Sequence, residues 1–92
     1  MSNYLYPATV ESNNEGGFIA KFRDVPEAIT EAWDLEELKN NARDALISAI
    51  DFYIEDRKAF PVGSTVKSGE IAIELPASVV AKVLLLNTMV QA

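Results

Sequence analysis

Hydrophobic and polar residues alternate along the first part of the chain, and this alternation predicts two β-strands. It runs through residues 4–11 and again through residues 18–22, so that each predicted strand has one apolar face. The run 12–17 between them is rich in Asn and Gly, which tolerate the positive φ angles of tight hairpins. We therefore predict an antiparallel hairpin. Because Pro7 has no backbone N–H, we also predict that the first strand lies at a sheet edge.

A short third strand and a long helix are predicted next, over residues 28–33 and from Asp34 onward. Asp34 is a good N-cap, and Glu37 stands three residues later, as in a capping box. The helix is predicted to end near residues 55–58, before the loop formers Pro61 and Gly63. Its apolar residues fall on one broad stripe, which comprises Leu35, Leu38, Ala42, Ala45, Leu46, Ala49, Ile50 and Tyr53.

The C-terminal part of the chain predicts one more strand, over residues 70–75, and a second helix over residues 78–91. Apolar residues nearly encircle this helix, and a helix that is apolar on all sides must be buried. A domain of this size is too small to enclose it, so we expect a second copy of the chain to cover it. The predicted oligomerisation residues are Val79, Val80, Val83, Leu84, Leu86, Met89 and Val90.

The predicted order β-β-β-α-β-α indicates an α+β fold in a chain whose 92 residues correspond to one domain. We divide it into a strand-rich segment, residues 1–75, and a C-terminal helical segment, residues 76–92. Cys and His are both absent. Their absence excludes disulfides, the usual Cys/His zinc sites and catalysis by a Ser-His-Asp triad or a Cys-His pair. We predict no catalytic residue, no metal site and no cofactor.

The charge balance of the chain favours a protein partner over a nucleic acid. Asp and Glu together number 14 and Lys and Arg together number 8, which gives a net charge of −6. Nucleic acid binding usually needs a basic patch, whereas an acidic chain suits a basic protein. The N-terminus resembles no signal peptide, and Lys82 and Asn87 interrupt the C-terminal apolar run, so we expect a cytoplasmic protein with no membrane segment.

Several motifs in order along the chain resemble the HicB antitoxins of HicA–HicB toxin–antitoxin pairs. The most specific is residues 22–30, FRDVPEAIT, which is similar to the family pattern F-x-D-V/I-P-E-A-x-T. The other motifs that carry the resemblance are YP at 6–7, GGF at 16–18, LEE at 35–37, NARDAL at 41–46, DFYIED at 51–56 and the tail ELPASVVAKVLLLN at 74–87. Many relatives have Pro where this chain has Arg23 and a small turn residue where it has Trp33.

The resemblance implies a partial ribonuclease H-like β-β-β-α-β core with a C-terminal helix. It implies binding to HicA, a small basic RNA-cleaving toxin with a catalytic His, and self-association as a homodimer or homotetramer. Relatives with this tail continue into a helix-turn-helix DNA-binding domain, whereas this sequence ends at Ala92. We therefore expect no DNA-binding domain and no direct DNA binding within residues 1–92, and transcriptional autoregulation only in a longer form.

The acidic loop around Pro26 has three interpretations. Its carboxylates could form a metal-dependent nuclease site, because such sites gather several carboxylates around divalent ions. They could be ordinary loop charges that bond to nearby backbone groups. The resemblance favours a third interpretation, in which the loop and the following helix start bind the toxin. Its predicted toxin-binding residues are Asp24, Pro26, Glu27, Glu31, Trp33 and Glu36.

Trp33 has two interpretations of its own. It could pack into the core as a hydrophobic staple on Leu38, or it could contact a partner, since Trp is enriched in binding hot spots.

The resemblance thus favours a HicB-like antitoxin that is not an enzyme and masks the RNA-binding and catalytic surface of a HicA-like toxin. The alternatives are a carboxylate-dependent nuclease with a ribonuclease H-like core and an operator-binding autorepressor in a longer form.

Overall fold

Four strands and two helices follow one another in the predicted order in a computed structural model that describes residues 4–91 and the side chains of residues 4–90. This arrangement confirms the α+β class. Residues 1–3 and Ala92, which the predicted segments 1–75 and 76–92 include, lie outside the described residues. The elements are β1 (Leu5–Ser12), β2 (Phe18–Phe22), β3 (Ile29–Ala32), α1 (Leu35–Asp56), β4 (Glu70–Glu74) and α2 (Ala77–Gln91).

The strands form one antiparallel sheet in the order β3-β2-β1-β4. The prediction that Pro7 places its strand at an edge is wrong, because β1 lies between β2 and β4. Pro7 pairs with Ala72 of β4, whereas the register with β2 begins one residue later, at Ala8. The missing N–H of Pro7 therefore falls just beyond the end of the β1–β2 ladder, where no hydrogen bond is lost.

One face of the sheet packs against α1, and the predicted apolar faces are confirmed. Cross-strand neighbours share a face, so the pairs Ala8–Phe22 and Tyr6–Ile73 place their side chains on the same side. The apolar stripe of α1 covers this side. The buried residues of these elements are Tyr6, Ala8, Ala20, Phe22 and Ile73 from the strands and Leu38, Ala42, Leu46, Ala49 and Ile50 from α1.

Both ends of α1 have defined caps. The side chain of Asp34 accepts a hydrogen bond from the backbone N–H of Glu37 at 2.8 Å, which confirms the predicted N-cap. At the other end Arg57 adopts the left-handed conformation, with φ 54° and ψ 44°. Its N–H donates to the carbonyl of Ile54 and the N–H of Lys58 donates to that of Tyr53, so two carbonyls of the last turn are satisfied.

The connection from α1 to β4, residues 57–69, supplies a core residue that the sequence did not predict. Phe60 is buried and meets Tyr6 and Tyr53 edge to face, with ring centroids 5.7 and 5.0 Å apart. The hydroxyl of Tyr6 donates to the carbonyl of Pro61 at 2.8 Å, and burial raises the pKa of this tyrosine. The connection is therefore held against the sheet by aromatic packing.

The helix α2 is only partly buried by its own chain. Val83 and Leu86 are buried, and Val79 and Val80 pack against the core from the side. The opposite side of the helix exposes 53% of Leu84, 62% of Leu85 and 66% of Met89. Within residues 4–91, no helix is long and apolar enough to cross a membrane.

Candidate partner-binding surface

Three large apolar side chains are exposed where β3 leads into α1. Ile29 is 57% exposed, Trp33 64% and Leu35 49%. The carboxylates of Glu31 and Glu36 lie within the same short segment and are exposed as well. We call these five residues the β3–α1 surface. Exposed apolar side chains with a charged border are typical of protein interaction sites.

The sheet register explains why part of this surface points outward. Ile29 pairs with Lys21, and Glu31 pairs with Ile19, so these side chains lie on the face away from α1. Trp33 follows Glu31 by two residues and continues the same alternation. The neighbouring Ala32 faces α1 and is buried. The alternation of residues 28–33 was therefore a signal in the sequence that Ile29 and Trp33 share the outer face.

Side chains of α1 hold the backbone of this segment in place. The side-chain amide of Asn41 donates to the carbonyl of Glu31 at 3.2 Å. The carboxylate of Glu37 accepts from the backbone N–H of Trp33 at 3.4 Å. Both backbone groups point away from the sheet at its β3 edge, so these bonds occupy groups that an added strand would need. The β3–α1 surface therefore offers side chains to a partner.

Asp24, which was predicted to bind the toxin, is engaged within the chain. Its two carboxylate oxygens accept hydrogen bonds from the backbone N–H and the hydroxyl of Ser64. Ser64 belongs to the 57–69 connection, so Asp24 fastens this connection to the end of β2. The interpretation that Asp24 bonds to backbone groups of the chain describes this arrangement, although its partner is 40 residues away in sequence.

Arg23, beside Asp24, fastens the same connection through a second set of contacts. Its guanidinium donates to both carboxylate oxygens of Glu70, at 2.9 and 3.1 Å, and to the carbonyl of Thr65. The backbone N–H of Lys67 also donates to Glu70, at 2.7 Å. The Arg23 hydrogen bond, with that from Lys67, lowers the pKa of Glu70 to about 2. This ion pair joins the end of β2 to the start of β4 across β1.

Glu27, another predicted toxin-binding residue, bonds to α1. The hydroxyl of Tyr53 donates to its carboxylate oxygens at 3.0 and 3.3 Å. Partial burial, followed by the bond to Glu27, raises the pKa of Tyr53. Pro26, between Asp24 and Glu27, is exposed. The two carboxylates thus fix a loop that presents Pro26.

The structure does not bring the carboxylates of this loop together. Asp24 bonds to Ser64, Glu27 bonds to Tyr53, and Glu31 lies on the outer face of the sheet. Across residues 4–90, no group of three or more acidic side chains is placed to hold one metal ion. The arrangement that motivated the nuclease interpretation is therefore not present among these three residues.

Comparison with known proteins identifies the family. A family model described as a HicB-like antitoxin of bacterial toxin–antitoxin systems matches residues 5–84. The chain belongs to the HicB-like antitoxin family. It is 49% identical over 89 residues to Antitoxin HicB 2 of Photorhabdus laumondii and 44% identical over 86 residues to Antitoxin HicB of Escherichia coli K12. These alignments cover 97% and 94% of this chain and 62% of each relative. The chain thus spans about three fifths of the length of the curated relatives it matches.

Of the two interpretations of Trp33 in this HicB-like chain, packing into the core is wrong, because 64% of its side chain is exposed. Leu38 is fully buried under the sheet, whereas Trp33 continues the outward alternation of β3. Sequence reasoning also missed Ile29 and Leu35 as surface residues. Leu35 was counted in the apolar stripe of α1, yet it is the first residue of the helix and lies half exposed.

The predicted oligomerisation residues of this family member divide into three groups. Val79 and Val80 are half-buried against the core, and Leu84, Met89 and Val90 are exposed. Val83 and Leu86 are buried within the chain, so they support α2 from the inside. Met89 and Val90 of the exposed group, with the neighbouring Leu85, border a groove between α2 and the end of α1. The groove is lined by Ile54, Arg57, Lys82, Leu85, Leu86, Met89 and Val90.

Proposed function

We propose that this chain is a non-enzymatic antitoxin that binds a HicA-like toxin and masks its RNA-binding and catalytic surface. Membership of the HicB-like antitoxin family supports the general role. The net charge of −6 supports a basic partner, because an acidic inhibitor competes with RNA for the same positive charge. The proposal needs no catalytic group and no cofactor from this chain.

The exposed β3–α1 surface is the observation that carries this proposal. Trp33 and Ile29 supply apolar area, and Trp is one of the residue types enriched in interface hot spots. Glu31 and Glu36 flank this area, so that they would meet Lys or Arg side chains around an apolar contact on the toxin. Asn41 holds the segment rigid before binding, which lowers the entropy lost in the complex.

Within this proposal the six predicted toxin-binding residues have two roles. Pro26, Glu31, Trp33 and Glu36 contact the toxin directly, and their exposure supports that role. Asp24 and Glu27 act as positioning residues, because their carboxylates are bonded to Ser64 and Tyr53 and fix the loop that presents Pro26.

The test is to mix the chain with the small basic protein encoded beside it. We expect a stable complex on size-exclusion chromatography and loss of the toxin's RNA cleavage at stoichiometric antitoxin. Full RNA cleavage in the presence of excess chain contradicts the proposal. The same RNA, incubated with the chain alone and Mg²⁺ or Mn²⁺, tests the nuclease alternative, and a gel shift with operator DNA at low salt tests the repressor alternative.

We further propose that the exposed side of α2 forms a contact between two copies of the chain. Leu84, Leu85 and Met89 expose large apolar side chains on the helix that buries Val83 against the core. An apolar area of this kind is favourably buried in a homodimer interface, which is more apolar than other interfaces. Light scattering of the isolated chain tests this contact, and a monomer at high concentration contradicts it.

The finer description of the fold is also a proposal. A three-stranded antiparallel sheet, β1 to β3, is followed by a helix and a further strand, and this order supports a partial ribonuclease H-like core. Residues 1–75 would then be the toxin-binding unit and the helical segment 76–92 an element added to it. The α2 segment contributes to the stability of this unit through Val83 and Leu86.

A further inference from the structure

The outer edge of β4 is open, whereas the β3 edge of the same sheet is partly occupied by side chains of α1. At the β3 edge, side chains of α1 bond to the outward carbonyl of Glu31 and to the outward N–H of Trp33. At the β4 edge, the helix α2 that follows has no close backbone contact with β4. An open edge presents unpaired N–H and C=O groups that can pair with another strand.

The register identifies which backbone groups of β4 point outward. The N–H of Leu75 donates to the carbonyl of Tyr4. In an antiparallel ladder every second residue bonds to the neighbouring strand, so residues 71, 73 and 75 direct their N–H and C=O groups toward β1. Ala72 and Glu74, between them, direct their N–H and C=O groups away from the sheet. Among the described residues, none bonds to these outward groups of Ala72 or Glu74.

The open stretch has a defined beginning and end. The N–H of Glu70 is already bonded to the carbonyl of Lys67, at 3.1 Å. Pro76, two residues after Glu74, has no N–H to donate. The backbone groups available for pairing are therefore those of Ala72 and Glu74, and a partner strand has to match this short stretch.

We propose that β4 pairs antiparallel with β4 of a second copy of this chain, with Ile73 opposite the partner's Ile73. In this register Ala72 lies opposite the partner's Glu74, so that each outward N–H of one strand meets an outward C=O of the other. The outward N–H and C=O groups of each copy are then bonded to those of the other, and the two sheets join into one continuous sheet. The stretch is thus complementary to itself, which is what an interface with two-fold symmetry requires.

The side chains favour this register over its neighbour. With Ile73 at the centre, the small side chain of Ala72 faces the partner's Glu74 on the outer face of the sheet. With Ala72 at the centre, Glu70 would lie opposite the partner's Glu74, and like charges directly opposite one another are destabilising. The net charge of −6 on each copy opposes association, so the association constant should rise with added salt.

This contact lies at the opposite edge of the sheet from β3. It leaves the β3–α1 surface free in each copy for the proposed toxin. It also differs from the proposed α2 contact, because α2 makes no close backbone contact with β4. One chain would then have two separate faces for other copies, and both contacts together would give a tetramer.

Two substitutions at one position test the proposal. Ala72→Pro removes the outward N–H, and Pro is tolerated at an edge strand when its nitrogen faces solvent. Ala72→Val enlarges the same exposed side chain and keeps the N–H, so it is the matched control. We expect Ala72→Pro to halve the mass measured by light scattering and Ala72→Val to leave it unchanged, while circular dichroism shows both variants folded. Equal masses for the two folded variants overturn the proposal.

Hydrogen exchange gives a second test on the unmodified chain. We expect the amides of Ile71 and Ile73 to be protected at every concentration, because they bond to β1. Those of Ala72 and Glu74 should gain protection as the concentration rises and lose it on dilution. Free exchange of Ala72 and Glu74 in the concentrated chain overturns the proposal, even if Ala72→Pro does not fold. Protection that arises only after a basic partner is added also overturns it, because the occupant is then not a second copy.

Discussion

The side chain of Asn87 bonds to both backbone groups of Phe60. Its carbonyl oxygen accepts from the N–H of Phe60 at 2.8 Å, and its amide donates to the carbonyl of Phe60 at 3.1 Å. Asn87 thus fixes the position of α2 against the 57–69 connection. Phe60 in turn packs on Tyr6 and Tyr53, so one polar side chain on an apolar helix orients that helix against the aromatic part of the core.

We expect Asn87→Ala to lower the free energy of unfolding by about 1–3 kcal/mol, because it leaves both groups of Phe60 without their partner. The neighbouring Thr88 bonds within its own helix to the carbonyl of Leu84 and is exposed. Thr88→Ala is therefore the control, with an expected change within about 0.5 kcal/mol. Urea unfolding followed by circular dichroism measures both, and equal effects would show that Asn87 has no special role.

The ion pair between Arg23 and Glu70 predicts a dependence of stability on pH. The pKa of Glu70 is lowered from 4.5 to about 2, chiefly by its hydrogen bond from Arg23. A lowered pKa means that the fold favours the charged carboxylate. Its contribution to stability is therefore complete above about pH 4.5 and is lost as the pH falls toward 2.

We expect Glu70→Gln to remove this part of the pH dependence and to make the protein less stable than the wild type at neutral pH. The urea midpoint, measured from pH 7 to pH 2, should fall less steeply for the variant between pH 4.5 and 2. Glu74→Gln removes a charge from the same strand without touching Arg23 and controls for net charge. Parallel curves for wild type and Glu70→Gln would contradict the prediction.

Arg57 ends α1 in a conformation that L-residues rarely adopt, with φ 54°. The left-handed conformation costs an L-residue roughly 1–2 kcal/mol, and Gly avoids this cost. The greater conformational freedom of Gly in the unfolded chain lowers the stability by about 0.4–1 kcal/mol and so offsets part of that benefit. We expect Arg57→Gly to raise the free energy of unfolding by about 0.5–1 kcal/mol. Arg57→Ala, which keeps the unfavourable φ, should give no gain. Thermal unfolding measures both variants, and a gain for Ala equal to that for Gly would refute this explanation.

The elements themselves could be predicted from the sequence because their signals are local. The alternation of residues 18–22 and the pairing of Asp34 with Glu37 depend on neighbours a few positions away, and the structure confirms both. The same alternation through residues 29–33 contained the outward direction of Trp33, but its position before the N-cap also allowed a hydrophobic staple on Leu38. A strand residue obeys the alternation first, because the face of the sheet is set by the backbone.

The contacts that hold these elements together could not be predicted, because they join distant positions. Arg23 and Glu70 are 47 residues apart, and Phe60 and Asn87 are 27 apart. Judged from its sequence neighbours alone, each of the polar residues Arg23, Glu70 and Asn87 is an ordinary exposed side chain. The place of Pro7 in an inner strand depends in the same way on where β4 returns to the sheet.

The exposed side chain of Trp33 predicts a large effect on toxin binding and a small effect on stability. We expect Trp33→Ala to weaken binding of the HicA-like toxin by about 30-fold, the equivalent of about 2 kcal/mol, as for an interface hot spot. The free energy of unfolding should change by about 0.5 kcal/mol or less. Calorimetric titration of the toxin and urea unfolding measure the two quantities.

Phe52 offers a matched control for Trp33. It is an exposed aromatic residue on α1, and it lies about 25 Å along the helix from Leu35. Phe52→Ala should leave toxin binding unchanged. Equal losses of affinity for the two variants would place the toxin contact away from the β3–α1 surface.

Two adjacent leucines test which side of α2 is buried in its own chain and which side is free for another copy. Leu86 is buried against the core and Leu85 points outward, although both are equally apolar in sequence. We expect Leu86→Ala to lower the free energy of unfolding by about 2–4 kcal/mol, because it leaves a cavity. Leu85→Ala should change it by about 0.5 kcal/mol or less in dilute solution, where the chains are separate. At high concentration Leu85→Ala should lose stability relative to wild type, because association stabilises the folded chain by mass action. If Leu85→Ala behaves alike at both concentrations, the exposed side of α2 is not a contact between copies.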